Sequence, residues 1–164
     1  AEDRRATWAA LGEAARAEGA AELTARDLKP LLDRWPPKEK FEVLKLAGAP
    51  ARRQYYGDLS RRQLEELTFF MRAEDCCEVL EVVSPFQRLP FLLSRPQEEQ
   101  VLLLQKLGHE QQKKTLSTFG PDALHKLIGK WQGQQKWEVL GKLTLTQRAQ
   151  LLAPLLAAGG GGGG

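Results

Sequence analysis

The feature that most constrains this chain is that it repeats itself. Slid along itself until Thr24 meets Ser84, the sequence aligns through Val83 against Leu143 without a gap. Glu78-Val79-Leu80 then meets Glu138-Val139-Leu140, Pro36 meets Pro96, Glu39 meets Glu99, Leu44 meets Leu104, and Gly48 meets Gly108. Leu64 and Leu67 meet Leu124 and Leu127. The register continues past the second copy, with Gln87-Arg88 against Gln147-Arg148 and Leu92 against Leu152, so a partial third copy occupies 144–157. Related phrases also recur at shorter shifts, as in Glu42-Val43-Leu44, Glu78-Val79-Leu80 and Leu102-Leu103-Leu104. A unit this short cannot enclose its own core, so its apolar face must be covered by its neighbours.

The repeated unit is helical. Ser84-Pro85-Phe86-Gln87, Thr144-Leu145-Thr146-Gln147 and Ser60-Arg61-Arg62-Gln63 read as capping boxes. Pro36, Pro85, Pro96 and Pro121 suit first helical turns, and Gly48, Gly57, Gly108 and Gly133 suit breaks between helices. Twelve helices are expected, over 3–18, 25–34, 36–47, 50–56, 61–71, 73–83, 85–94, 96–107, 109–118, 121–131, 134–143 and 146–157. Tyr55-Tyr56 and Phe69-Phe70-Met71 are short apolar runs, but each closes a segment with helical spacing, such as Leu64, Leu67, Phe70 and Met71. The expected core is the set of matched positions: Leu32 with Leu92, Phe41 with Val101, Leu44 with Leu104, Leu64 with Leu124, Leu67 with Leu127, Cys77 with Trp137 and Leu80 with Leu140. Residues 1–23 form an N-terminal capping helix and linker, whose Trp8, Leu11 and Ala15 share a face. Residues 24–158 form one helical-repeat domain, copies 24–83 and 84–143 plus the partial third, and the glycines 159–164 stand outside it. The fold class is all-α, an α-solenoid or superhelix with an internal duplication.

The "Glu-Val-Leu" phrase, followed by a break and a short helix bearing Arg or Gln, resembles the cytoplasmic N-terminal domain of MgtE-type magnesium channels. The middle domain of the flagellar rotor switch protein is similar. Arg95-Pro96-Gln97 through Val101-Leu102-Leu103-Leu104, then Leu107 and Glu110-Gln111, resemble that domain's Pro-Gln helix and the turn after it. The resemblance covers roughly residues 24–157 and implies a right-handed superhelix.

Of the 164 residues, 42% are hydrophobic and 7% aromatic, a composition that suits a Leu/Ala/Glu/Gln-rich helical domain large enough to bury a core. Apolar runs such as Val101–Leu104 and Val79–Val83, with Glu81 inside it, fall far short of the roughly 20 residues a bilayer requires. The 24 basic and 21 acidic residues are interleaved for a net charge of +3. The most basic stretch holds Lys106, Lys113, Lys114, Lys126, Lys130 and Lys136 against Glu110 and Asp122, the pattern a nucleic-acid-binding strip would need.

Catalytic signals are missing from this sequence. It has no Gly-rich phosphate loop, no nucleophile elbow and no paired metal-binding histidines; His109 and His125 fall on different helices. The stretch Arg16–Asp27 has the outline of a calcium loop, but Arg16, Glu18 and Ala20 at its ligand positions cannot form an oxygen cage. Glu74-Asp75 and Glu98-Glu99 fall in first helical turns, where negative charge complements the helix dipole. The two cysteines, Cys76 and Cys77, are adjacent and seldom bridge on a helix, which suits a reducing compartment, an organelle such as a plastid or mitochondrion after transit-peptide removal included. Cys77 is expected in the core and Cys76 nearer the surface. Arg88 and Arg148 are expected along one ridge.

These residues point away from an enzyme, with no cofactor or metal, and toward an interaction or scaffold protein that docks as a peripheral subunit on other proteins of a larger assembly. The expected docking edge is Arg52, Arg53, Tyr55, Tyr56, Arg61 and Arg62, where cations flank two aromatic anchors. The alternative is a nucleic-acid-binding helical-repeat protein using the lysine strip.

Overall fold

The computed structural model describes residues 2–129 and 131–160. Every regular element among them is a helix: α1 (Glu2–Ala10), α2 (Glu13–Ala21), α3 (Ala25–Leu32), α4 (Pro37–Leu46), α5 (Ala49–Gly57), α6 (Arg61–Thr68), α7 (Ala73–Val82), α8 (Pro85–Leu93), α9 (Gln97–Lys106), α10 (His109–Ser117), α11 (Pro121–Ile128), α12 (Gln134–Lys142) and α13 (Leu145–Gly160). The protein is therefore all-α. The single helix expected over 3–18 is two, because the chain turns at Leu11-Gly12. Leu11 N–H donates to Trp8 O at 3.2 Å and Gly12 is extended, at φ −71° and ψ 166°.

The helices keep a strict rhythm. Every twelfth residue starts a helix, from Glu13 through Ala25, Pro37, Ala49, Arg61, Ala73, Pro85, Gln97 and His109 to Pro121. All the shifts seen in the sequence are multiples of that interval. The physical origin lies in the residue before each start: Gly12, Thr24, Pro36, Gly48, Ser60, Arg72, Ser84, Pro96, Gly108 and Gly120 are all extended, with ψ between 143° and 169°. Gly, Ser and Thr favour the N-cap, and Pro has no N–H to contribute to a preceding helix. Each module is thus one extended residue, a helix of about two and a half turns, and a short link. One slip occurs. Gly133 takes φ 62° and ψ −140°, a left-handed backbone that only glycine adopts readily, and α12 begins one residue late.

The caps differ in how they hold. Ser60 and Gln63 form the expected reciprocal box, and Thr144 with Gln147 does the same. Ser84 makes no side-chain cap, whereas Thr24 N–H donates to Asp27 Oδ2 at 2.9 Å. Hydrogen bonds from Thr24 hold the Asp27 carboxyl below its usual range. Pro36 and Pro96 occupy the cap itself, and Pro37, Pro85 and Pro121 the first turn.

The chain divides into two compact units, residues 1–83 and 84–164. In the first, helices two places apart meet: α2 with α4, α3 with α5, α4 with α6, and α5 with α7. In the second, α8 meets α10, α10 meets α12, α11 meets α13, and α8 also meets α9. Counting from each cap, the eighth residue faces the core ten times in succession: Ala20, Leu32, Leu44, Tyr56, Thr68, Leu80, Leu92, Leu104, Leu116 and Ile128 are all buried. The seventh does so from Val43 through Tyr55, Leu67, Val79, Phe91, Leu103, Thr115 and Leu127. With the eleventh, including Trp35, Met71, Phe119 and Trp131, these make the apolar stripe of an amphipathic helix. Each fully buried Leu contributes about 1.5–3 kcal/mol.

Most of the expected core pairs lie inside: Leu32 with Leu92, Leu44 with Leu104, Leu64 with Leu124, and Leu67 with Leu127. Phe41 and Leu80 are buried, but their partners Val101 and Leu140 are half-buried. The pair Cys77 and Trp137 is corrected: Cys77 is half-buried, one step around α7 from the buried Cys76, and Trp137 is exposed on α12, a helix that buries no residue of its own. The N-terminal face is corrected too. Trp8 is half-buried, Leu11 and Ala15 are exposed, and α2 buries Ala20 instead.

Candidate functional site

The residues expected to form a docking edge lie on α5 and α6, and the same count from the cap decides where each points. Tyr55 and Tyr56 are seventh and eighth in their module, so both rings are core, at 5% and 1% exposure. Burial disfavours the phenolate and pushes Tyr55 up to about 12, with the negative charge of Asp33 adding to it. Tyr56 is raised as well, by burial first and then by Glu78. The expectation that these rings act as surface anchors is corrected on that ground.

The arginines are engaged in the fold. Arg52 Nε donates to Glu78 Oε2 at 2.8 Å and its Nη1 to Ala47 O at 3.0 Å. Arg53 pairs with Glu81 at 2.8 Å, Arg61 with Glu65 at 2.9 Å and Arg62 with Glu66 at 3.0 Å. The last two are exposed pairs one turn apart, worth a few tenths of a kcal/mol.

Arg52 belongs to a recurring device. The fourth residue of several modules reaches back to carbonyls at the end of the preceding helix or its link, groups that a helix terminus leaves without partners. Arg16 donates to Trp8 O at 3.0 Å and Ala9 O at 2.7 Å, Gln100 to Arg95 O at 2.7 Å, and Gln112 to Leu107 O at 2.7 Å. Arg148 donates to Leu140 O at 2.9 Å and Gly141 O at 2.8 Å. Arg88, at the same place, is buried and its Nη1 donates to Thr115 Oγ1 at 2.7 Å, tying α8 to α10. The ridge expected of Arg88 and Arg148 is therefore corrected: Arg88 is interior and Arg148 half-buried.

The thiols are reversed from expectation. Cys76, fourth in its module, is buried beside Val79 and Leu80 on the stripe; Cys77, one step around the helix, is half-buried with Sγ 3.3 Å from Ala73 O. Neither is in a disulfide. His109 and His125 are exposed on α10 and α11. Among the described residues, no group of three or more His, Cys, Asp or Glu side chains is arranged to hold a metal ion, and no helix is long and apolar enough to cross a membrane. Glu74 and Asp75 lie in the first turn of α7, and Glu98 and Glu99 in that of α9, where Glu99 accepts from Arg95 Nε at 2.8 Å. In the lysine strip Lys106, Lys113, Lys114, Lys126 and Lys136 are exposed, and Lys130 lies outside the described residues.

Two concave surfaces stand out. A broad groove of about 670 Å³ in the first unit is lined by Arg5, Trp8, Arg16, Lys38, Glu39 and Glu42. Its charges are largely satisfied internally: Arg5 pairs with Glu39 and holds that carboxyl below its usual range, and the Arg16 guanidinium lies 5.9 Å from the Trp8 ring centre. The other groove, about 310 Å³, lies between α12 and α13 and is lined by Trp137, Leu140, Gly141, Arg148, Leu151 and Leu152. Trp137 is 74% exposed and Leu152 53%. Sequence reasoning placed Trp137 and Leu140 in the core and passed over this surface. Comparison with protein-family models, with curated proteins and with solved structures finds no match to this chain.

Proposed function

We propose that this is a non-enzymatic interaction or scaffold protein, a peripheral subunit of a larger assembly. The observation that carries the reading is the division of labour among side chains. Polar groups at the repeated positions cap helices and clamp backbone carbonyls, while Trp137, Leu145 and Leu152 stand largely in solvent on adjacent helices. An apolar surface of that kind suits a protein partner rather than a reacting small molecule. An internal duplication and a superhelical, solenoid course belong to this proposal. They are supported by helix bounds that coincide, on the shift that carries Thr24 onto Ser84, for α4 and α9, α5 and α10, and α6 and α11. Two cysteines that form no disulfide suit a reducing compartment.

A second reading, nucleic-acid binding, is favoured by the exposure of Lys113, Lys114, Lys126 and Lys136. One experiment separates the two: tagged protein is recovered from native extract with and without nuclease, at low and physiological salt. A stoichiometric protein complex that survives nuclease supports the scaffold. Recovery lost to nuclease, with affinity for RNA or DNA falling steeply as salt rises, overturns it in favour of the lysine strip.

A further inference from the structure

We propose that the open face of α12 and α13 is a docking site for one amphipathic helix of a partner protein, apolar on one side and acidic along its flanks; this rests on the scaffold reading above. Within residues 84–164, α8 is covered by α10, α10 by α12, and α11 by α13. Among the described residues, α12 and α13 are the helices with no successor two places on. The same places depart from the rule here: Leu140, seventh after the cap Gly133, is half-buried, Leu152, eighth after Thr144, is 53% exposed, and α12 buries no residue of its own. Trp137 and Leu145 extend the apolar surface, and the groove between Trp137 and Leu152 is open.

The inner copy shows what such a face receives. Leu92 holds the place in α8 that Leu152 holds in α13, and it is fully buried on a helix that meets α10. The missing cover is therefore a helix, seated as apolar stripe into groove. It is not the next module of this array in register, because the next cap falls due at Leu156 and α13 stays helical through Gly160. Charge selects the flanks. Arg148 lines the groove and Lys136 is exposed on α12, whereas Lys142 and Glu138 lie on the side toward α10, where Lys142 donates to Gln112. Two copies of this face would oppose cation to cation, whereas a helix with acidic flanks is drawn to it.

The test uses the full chain and a synthetic helical peptide of about 18 residues, with leucines spaced i, i+3, i+4, i+7 and glutamates beside them, followed by tryptophan emission. The expected result is saturable binding with a shift of emission to shorter wavelength. A peptide with the same leucines and lysine flanks should bind at least about tenfold more weakly, and Trp137→Ala and Leu152→Asp should each weaken the acidic peptide by about tenfold or more. Leu145→Asp serves as a second disruption, with far-UV circular dichroism checking that each variant is folded. Phe86→Asp, exposed elsewhere, should leave binding unchanged. Equal binding of both peptides, or indifference to all three face variants, overturns the proposal. So does a concentration-dependent dimer in sedimentation that Leu152→Asp abolishes, which would make a second copy the occupant. A nuclease-resistant complex that Leu152→Asp does not disturb leaves the scaffold reading standing and removes this face from it. Peptide binding here without any such complex removes the scaffold reading instead.

Discussion

Leu92 and Leu152 each stand eight residues after a helix cap, Ser84 and Thr144, yet Leu92 is wholly buried and Leu152 is 53% exposed. Each helix presents an apolar stripe by its spacing alone. Whether that stripe becomes core depends on a helix two places further on: α8 has α10, and α13 has none among the described residues. The two ends of the chain differ in a related way. α1, Glu-Asp-Arg-Arg-Ala-Thr-Trp-Ala-Ala, carries four charged residues, while α13 carries Arg148 as its one charged residue.

The sharpest way to break this comparison is to truncate both leucines. Leu92→Ala should lower unfolding stability by about 2–5 kcal/mol in urea titrations, while Leu152→Ala should stay within about 0.5 kcal/mol. Similar losses at the two sites would mean that α13 is covered after all. Next come the paired arginines. Arg88→Met leaves the buried Thr115 and its neighbour Gln111 without that guanidinium and should cost about 1–3 kcal/mol; Arg148→Met, at a half-buried position, should cost less than half as much.

Alkaline pH separates the units further. Both of the chain's tyrosines, Tyr55 and Tyr56, are buried in residues 1–83, and the matched positions in the second unit are the non-titrating Thr115 and Leu116. The unfolded chain ionises its tyrosines near pH 10, whereas Tyr55 is held up to about 12 and Tyr56 is raised too. Between those values the unfolded state binds fewer protons than the native one, so the stabilisation present below pH 10 is lost as pH rises toward 12. Absorbance at tyrosinate wavelengths should therefore stay flat through pH 10 in buffer and rise near pH 10 in urea. A native titration near pH 10 would show the rings to be on the surface. The smallest effect belongs to the exposed pairs: Arg62→Ala should change stability by no more than about 0.5 kcal/mol, and a larger loss would mean that this edge does more than decorate α6.

Much of the fold is legible in the chain. Cap residues, proline placement and the register of the duplication locate the helices from α3 onward to within a few residues. The finer rhythm was also on the surface of the sequence, in the run of Gly12, Thr24, Pro36, Gly48, Ser60, Ser84, Pro96, Gly108 and Gly120. It is masked in the chain because identities recur most visibly at the longer shift that carries Thr24 onto Ser84. The candidate site is legible only in part. Tyrosines beside arginines resemble an interface by residue type, yet their places seven and eight after a cap put both rings inside. Cys77 and Trp137 are expected in the core because they match each other in the repeat register, yet Cys77 is half-buried and Trp137 is exposed. Gly12 inside an apparent amphipathic stretch was passed over, though it is a better cap than helix interior.

The sequence by itself determined the local structure: short helices, each started by an extended residue and each carrying one apolar stripe. These properties depend on backbone and cap energetics within a single module, which any copy of it contains. Only the tertiary structure decided which stripes are core, that Arg88 is inside while Arg148 clamps carbonyls nearer the surface, and that Trp137, Leu145 and Leu152 are left in solvent. Burial is a property of neighbours, and equivalent modules at the middle and at the end of an array have different neighbours.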